Sequence, residues 1–342
     1  MSRYAPWAVA LFFASVPLWM DDQYFLHILI STGIFTIAAM SLNLLLGYTG
    51  QLSLGHVAFF GIGAYTSALV SLGFDVNLLG WTATLDPKPV WVAMLCGILL
   101  AGLAGWFIGK VSFKVRGAYF VIVTISFAEV VRLVALNWVD LTEGPMALNN
   151  IPPLTLWLPL LGETTFWRKT PNYYLVLVIG VVAFEIIRRL VHSRLGRSLI
   201  ALRENEPLAM SVGIDVTRSL VVATVISAAI AGAAGGLYSH YIRIVDPDVF
   251  LFIYTVTMVI MVVVGGKGTL WGPIVGGILF GILPDFLRDM AAPEVQWVIY
   301  GAVMIVIVFF LPQGVVPAVN KWISGRAAPD RGVATATRDD PA

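Results

Sequence analysis

Charge is what this sequence has least of. Of its 342 residues only 12% are Asp, Glu, Lys or Arg, about half the share found in soluble globular domains. The one cysteine, Cys96, lies inside an apolar run. It excludes an internal disulfide and reads as a small buried hydrophobe. The net charge of +1 says nothing about nucleic acid, and there is no basic face to bind it, so no nucleic acid is expected as a partner. No Gly-x-x-x-x-Gly-Lys-Ser/Thr is present, so the chain has no phosphate-cradling loop of its own. The stretch 265–269, GGKGT, lacks that spacing and the hydroxyl residue after Lys267, and suits a tight turn. The four histidines, His27, His56, His192 and His240, are far apart and have no metal-ligand spacing. There is no Gly-x-Ser-x-Gly elbow. No catalytic residue, metal or cofactor is therefore assigned.

Long apolar runs are what the sequence has in abundance. Hydrophobic residues make up 58%, and the mean hydropathy is +0.87. The runs are too continuous for the alternating strands of a membrane barrel. A spanning helix needs about 20 mostly apolar residues. The candidates are 7–20, 24–46, 57–73, 89–109, 117–138, 172–192, 219–242, 250–264, 272–289 and 295–311. The fold class is thus all-α, a polytopic helical membrane protein with roughly 8–10 transmembrane helices. Segment 7–20 follows Arg3 and resembles a signal-peptide core, but no small-x-small cleavage site precedes Asp21, so we read an anchor. Segment 57–73 is glycine-rich and is either a span or a re-entrant half-helix.

The little charge there is falls in one place. Six arginines, Arg188, Arg189, Arg194, Arg197, Arg203 and Arg218, crowd into 188–218. Basic residues in short loops mark the cytoplasmic side. Counting spans from this island places Lys110, Lys114, Arg116, Lys267, Lys321, Arg326 and Arg331 inside, and Asp21, Asp22, Asp75, Asp86, Asp246 and Asp248 outside. Arg168 and Lys169 are exceptions, in a long outer loop, 139–171. Pro145, Pro152, Pro153 and Pro159 prevent that loop from forming one helix. Trp138, Trp157, Trp167, Tyr173 and Tyr174 at its ends suit the membrane interface. The expected organisation is an anchor helix and outer turn (1–23), a transmembrane domain (24–320) and a disordered cytoplasmic tail (321–342).

Intramembrane polar residues need a partner or a cavity. Glu129 and Arg132 share a helix face, and two readings stand: the lining of a pathway, or a structural ion pair. Glu185 with Arg188 and Arg189 reads as a snorkelling pair. Asn43 is suited to hydrogen-bonding between helices. Two glycine-rich breaks, 47–55 and 265–272, each join one apolar helix to another with small residues on a face. Such breaks let backbone groups line a cavity.

Within the island, residues 197–204 form two turns with Leu199, Ile200 and Leu202 as apolar contacts. Asn205 caps a second short helix, with Glu206 and Pro207 in its first turn. Leu208, Ala209 and Val212 give that helix an apolar face, and Gly213 ends it. The result is a helix-turn-helix knob that would dock into a groove on a soluble partner. A helix lying on the membrane surface is the alternative.

Four stretches carry a resemblance: 42–65 (LNLLLGYTGQLSLGHVAFFGIGAY), 116–129 (RGAYFVIVTISFAE), 196–206 (GRSLIALRENE) and 265–273 (GGKGTLWGP). Spread over about 24–312, they resemble the LivM-type permeases of branched-chain amino acid ABC importers, in the hydrophobic amino acid uptake family. The resemblance implies the ABC importer permease fold in a bacterial inner membrane. It implies as partners a sister permease, two cytoplasmic ABC ATPases and a periplasmic solute-binding protein. Transport would run by alternating access, with ATP hydrolysed on a partner. The loop 193–218 would couple to the ATPase through Gly196, Arg197, Leu199, Leu202, Arg203, Glu204, Asn205, Glu206 and Gly213. Candidate pathway residues are Asn43, Gln51, Ser53, His56, Tyr119, Thr124 and Glu129. Thr142, Glu143 and Gly144 would meet the binding protein. Glu143 and Ala147 stand where that family usually has glycine, which leaves the solute open: urea, short amides and aromatic carboxylates are alternatives. A proton-coupled secondary transporter using Glu129 is the other class.

Overall fold

The computed structural model describes residues 5–19, 22–78, 81–113, 115, 117–158, 162–166, 168–288 and 293–324. Arg3, Asp21, Lys114, Arg116, Pro159, Trp167, Arg326 and Arg331 lie outside the described residues.

Among the described residues, each of the ten candidate segments contains a helix. The order begins α1 (Ala5–Trp19), α2 (Gln23–Asn43) with a π-helical turn (Leu44–Thr49), and α3 (Val57–Leu72). Next come a hairpin β1–β2 (Phe74–Leu78, Trp81–Leu85), α4 (Val90–Ser112), α5 (Ala118–Asn137) and the short α6 (Val139–Thr142). A second hairpin, β3–β4 (Thr155–Leu158, Gly162–Thr165), precedes α7 (Lys169–His192), α8 (Arg194–Glu204) and α9 (Glu206–Ser211). The chain continues with α10 (Val216–Ile242), α11 (Phe252–Gly265), α12 (Gly272–Arg288), α13 (Pro293–Phe310) and α14 (Val315–Ser324). Among the described residues, four helices are long and apolar enough to cross a membrane: 23–49, 90–112, 119–137 and 216–242. Helix α3, with 16 residues, spans about 24 Å at 1.5 Å per residue, short of a hydrocarbon core of about 30 Å. The all-α reading gains two small antiparallel hairpins. It also gains α14, which takes in residues 321–324 of the stretch expected to be tail.

Helix α10 is the centre, packed against α2, α3 and α4. Lipid gives apolar helices no hydrophobic reason to associate, so close backbone approach must hold them. Gly63, Gly97 and Gly232 provide it: a Cβ on Gly97 would stand 2.7 Å from the Gly63 carbonyl, and one on Gly63 would overlap the Gly232 backbone. Asp215 starts α10 by accepting from the Arg218 N–H at 2.9 Å, and Asp22 starts α2 by accepting from the Tyr24 N–H at 2.8 Å.

The end of the bundle that carries residues 142–155, expected to face outward, is stapled by backbone. Leu148 and Val245 exchange N–H···O bonds of 2.8 and 3.0 Å. The Arg243 Nε–H donates to the Ile151 carbonyl at 3.1 Å. His240 Nδ1 meets the Pro152 carbonyl at 2.8 Å, which makes Nδ1 the donor and leaves Nε2 to accept from the Ser67 hydroxyl, also at 2.8 Å. The Trp91 indole N–H donates to the Thr155 carbonyl at 2.6 Å. Residues 142–155 are thereby held over the ends of α4 and α10.

Candidate functional site

The arginine island folds as two capped helices. Ser193 begins α8, its hydroxyl accepting from the Gly196 N–H at 3.3 Å. Gly196 is buried, and a Cβ there would strike the carbonyls of Leu190 and Val191, so glycine lets α8 turn sharply off α7. Asn205 caps α9, its Oδ1 accepting from the Leu208 N–H at 3.0 Å. Gly213 follows with φ 86, the left-handed position that only glycine takes without strain.

The two helices face different ways. Leu199 and Leu202 of α8 are buried in a cluster with Leu44, Leu45 and Tyr48 of the π turn and Val216 and Leu220 of α10. Their apolar contact is with the chain itself. On α9, Ala209 is buried while Leu208 and Met210 project, as does Val212 beyond its end. Arg197, Glu204 and Asn205 are exposed around them.

Arg203 turns inward. Its Nη1 donates to the Gly47 carbonyl at 2.8 Å, and Nη2 pairs with Glu204 at 2.6 Å. A Cβ on Gly268 would stand 2.7 Å from that Nη1, and one on Gly50 would stand 3.0 Å from Arg203 Cγ. The guanidinium therefore lies in a slot walled by both glycine-rich breaks. Asn43 fastens the breaks together: its Nδ2 donates to the Thr269 carbonyl at 2.8 Å, and its Oδ1 accepts from the Gly268 N–H at 2.9 Å. Gly47 leaves no room for a side chain, because its Cβ would overlap Asn43 Oδ1 and the Gly268 backbone. Pro317 of α14 closes the far wall, its Cδ 2.7 Å from a Cβ placed on Gly266. A crevice of about 520 Å³ opens beside this knot, lined by Gly50, Glu204, Lys267 and Gln313 among others.

The candidate pathway residues differ in burial. Asn43, Ser53, His56 and Thr124 are buried, Gln51 is half-buried, and Tyr119 and Glu129 are exposed. The Thr124 hydroxyl donates to the Val121 carbonyl at 2.8 Å and accepts from the Leu54 N–H at 3.3 Å. Gly55 sits against the Thr124 carbonyl, so the first break is held to α5. Ser41 donates to the Ala38 carbonyl at 2.7 Å, so His56 Nε2, 2.7 Å from the Ser41 oxygen, is the donor there. Glu129 and Arg132 form an ion pair at 2.7 Å, with the carboxylate side chain 51% exposed. They ride on α5, whose apolar outer face carries Tyr119, Ile122, Val130 and Leu133 in the open.

In the outer loop, Thr142 is buried and donates to the Ala135 carbonyl at 2.6 Å. Glu143 and Ala147, the positions noted for lacking glycine, both have positive φ, 57 and 63, flanking Gly144 at 52. Ala147, at ψ 149, occupies a region essentially reserved for glycine.

Sequence reasoning missed the direction of Arg203, the role of α14 and the staple on His240 and Arg243. The charge of the island was legible, but which arginine reaches the glycine-rich breaks depends on where α8 packs.

The family model described as "Branched-chain amino acid transport system / permease component" matches residues 24–308. The chain belongs to this family. It is 31% identical over 317 residues to the high-affinity branched-chain amino acid transport system permease protein LivM of Salmonella typhimurium strain LT2, covering 86% of this chain and 71% of the relative. Identity to the LivM protein of Escherichia coli K12 is 32% over 304 residues, 84% of this chain and 68% of the relative. Identity to the LivH permease of the same strain is 26% over 300 residues, 84% and 93%. The chain is thus a LivM-type permease and a multi-pass helical membrane protein. No solved structure matches it.

Proposed function

We propose that this chain is the LivM-type permease subunit of an ATP-driven importer of branched-chain or related hydrophobic amino acids in a bacterial inner membrane. Its relatives carry that transport in their names. It pairs with a sister permease of the LivH kind, two cytoplasmic ATPases and a periplasmic binding protein, and it hydrolyses nothing itself. The division into anchor (1–23), permease domain (24–320) and tail belongs to the same proposal.

One observation carries the mechanism: Arg203 joins the exposed knob to both glycine-rich breaks. In this reading α9 and the exposed polar residues of α8 seat in the ATPase, with Arg197, Glu204, Asn205, Leu208 and Met210 at the contact. ATP-driven closure pushes the knob. Leu199 and Leu202 transmit the push to the π turn, and Arg203 transmits it to Gly47 and Gly268. Helices α2, α11 and α12 then tilt, and access alternates between the two sides. The exposed face of α5, with Tyr119, Glu129 and Arg132, borders the sister subunit and lines the pathway between them. A carboxylate–guanidinium pair facing lipid is costly, and an aqueous seam between subunits removes that cost. Glu143 is exposed on the outer side and meets the binding protein, with the buried Thr142 and Gly144 shaping the turn that presents it.

Uptake in proteoliposomes holding the full assembly tests this. Uptake should require internal ATP and the binding protein. Uptake that continues without ATP while a proton gradient is maintained would instead make Glu129 the coupling group of a secondary transporter.

A further inference from the structure

A second feature, whose lining reaches Trp271 of the second glycine-rich break, lies apart from α5. Helices α2, α7 and α12 leave a groove of about 190 Å³ between them. Each wall is one helical stripe: α7 from Tyr173 to Glu185, α2 from Leu29 to Met40, and α12 from Ile274 to Ile282. At 1.5 Å per residue the α7 and α2 walls are about 16–18 Å long, the depth of one leaflet of a hydrocarbon core about 30 Å thick. The walls are apolar apart from Thr32, Thr36 and Glu185. Glycine opens the α7 side: a Cβ on Gly180 would only touch Ile37 at 3.7 Å, so the space beyond is unfilled. Phe13 of α1 closes the outer end, held there by the Tyr173 hydroxyl donating to the Phe13 carbonyl at 2.7 Å.

The inner end is charged. Glu185 is bridged by Arg188 at 3.1 Å and Arg189 at 2.9 Å. Two guanidinium groups share one carboxylate, so the mouth keeps a net positive charge. Arg188 follows Phe184 and Glu185 by four and three residues, on the same helix face as the groove. The Arg189 side chain is 80% exposed.

We propose that this groove is a binding site for one anionic phospholipid of the cytoplasmic leaflet, with an acyl chain along α2, α7 and α12 and its phosphate against Arg188 and Arg189. An apolar slot one leaflet deep fits the chain, and a positive mouth at headgroup level fits the phosphate. The proposal is independent of the transported solute.

Native mass spectrometry of the purified full chain tests it, with phosphatidylglycerol and phosphatidylcholine of equal chain length as probes. One phosphatidylglycerol should survive delipidation and outcompete phosphatidylcholine. Arg188→Gln and Arg189→Gln should each weaken retention about fivefold, as expected for one basic residue at an anionic surface. Filling the groove by Gly180→Phe, or from the opposite wall by Ile278→Trp, should abolish retention while the thermal midpoint stays near wild type. The second variant serves if the first does not fold. Equal retention of both lipids, or full retention in a folded groove-filled variant, would overturn the proposal. So would a disulfide from Ile278→Cys to a cysteine in a sister permease that displaces the lipid, because the groove would then belong to a protein helix.

Discussion

The two ends of the molecule are held in opposite ways. At the outer end, residues 142–155 are fastened by a backbone bridge, Leu148 with Val245, and by Arg243, His240 and Trp91. No single contact decides the arrangement. At the inner end, Arg203 of the knob reaches the first glycine-rich break through a hydrogen bond to the Gly47 carbonyl. Redundant bonds make a frame, whereas in the proposed mechanism the Arg203 contact with the two breaks acts as a lever. The strain is also unevenly placed. Glu143, Ala147 and Arg243 hold left-handed backbone at the outer end, and the staple over-determines them. Among the described residues, the left-handed positions at the inner end, Gly50, Gly117, Gly213, Gly266, Gly268 and Gly314, are all glycine.

That contrast can be broken first at the lever. Gly47→Val puts a side chain where Asn43 and Gly268 already sit, and overpacking of this kind costs about 1–3 kcal/mol or more. We expect the breaks to separate, with uptake lost and the melting temperature lowered. Next in size is Asn205→Ala. It removes the cap of α9, worth about 1 kcal/mol, and co-purification with the ATPase should weaken while the membrane domain stays folded. Glu129→Gln comes third: it breaks a partly exposed pair, so stability should change by less than about 1 kcal/mol while uptake falls. Wild-type uptake in that variant would assign the pair no transport role. At the outer end the expected effect is small and opposite in sign. Ala147→Gly relieves a strained conformation worth about 1–3 kcal/mol and gives back about 0.5–1 kcal/mol in chain entropy. Unfolding should therefore shift slightly towards greater stability. A destabilised Ala147→Gly would show that the loop is not strained.

Much of the fold was legible because its signals are local. Apolar runs of the right length gave α1 to α5, α7 and α10 to α13. Proline ruled out a helix through 139–171, and Asn205 with Gly213 bounded α9. The hairpins were not legible, because Phe74–Leu78 and Thr155–Leu158 are too short to show a period between spans. Helix α14 was hidden by Pro317 and by the expected tail boundary at 321, which falls inside it. In the candidate site the caps and glycines were readable, while long-range partners were not. Nothing near Arg203 in sequence points to Gly47, 156 residues away. Ser53, His56 and Thr124 look available as polar residues in a glycine-rich setting, and only packing shows them buried. The missing glycines at 143 and 147 were the exception. A family habit at two positions corresponded to the backbone angle each position needs.

The lever itself is the most direct thing to measure. In the reconstituted assembly, Arg203→Ala should leave the ATPase bound and hydrolysing ATP while uptake falls at least about tenfold, the effect of losing about 1.4 kcal/mol of coupling. Uptake and hydrolysis both at wild-type levels would contradict the account, because the knob would then be moving the membrane helices without Arg203.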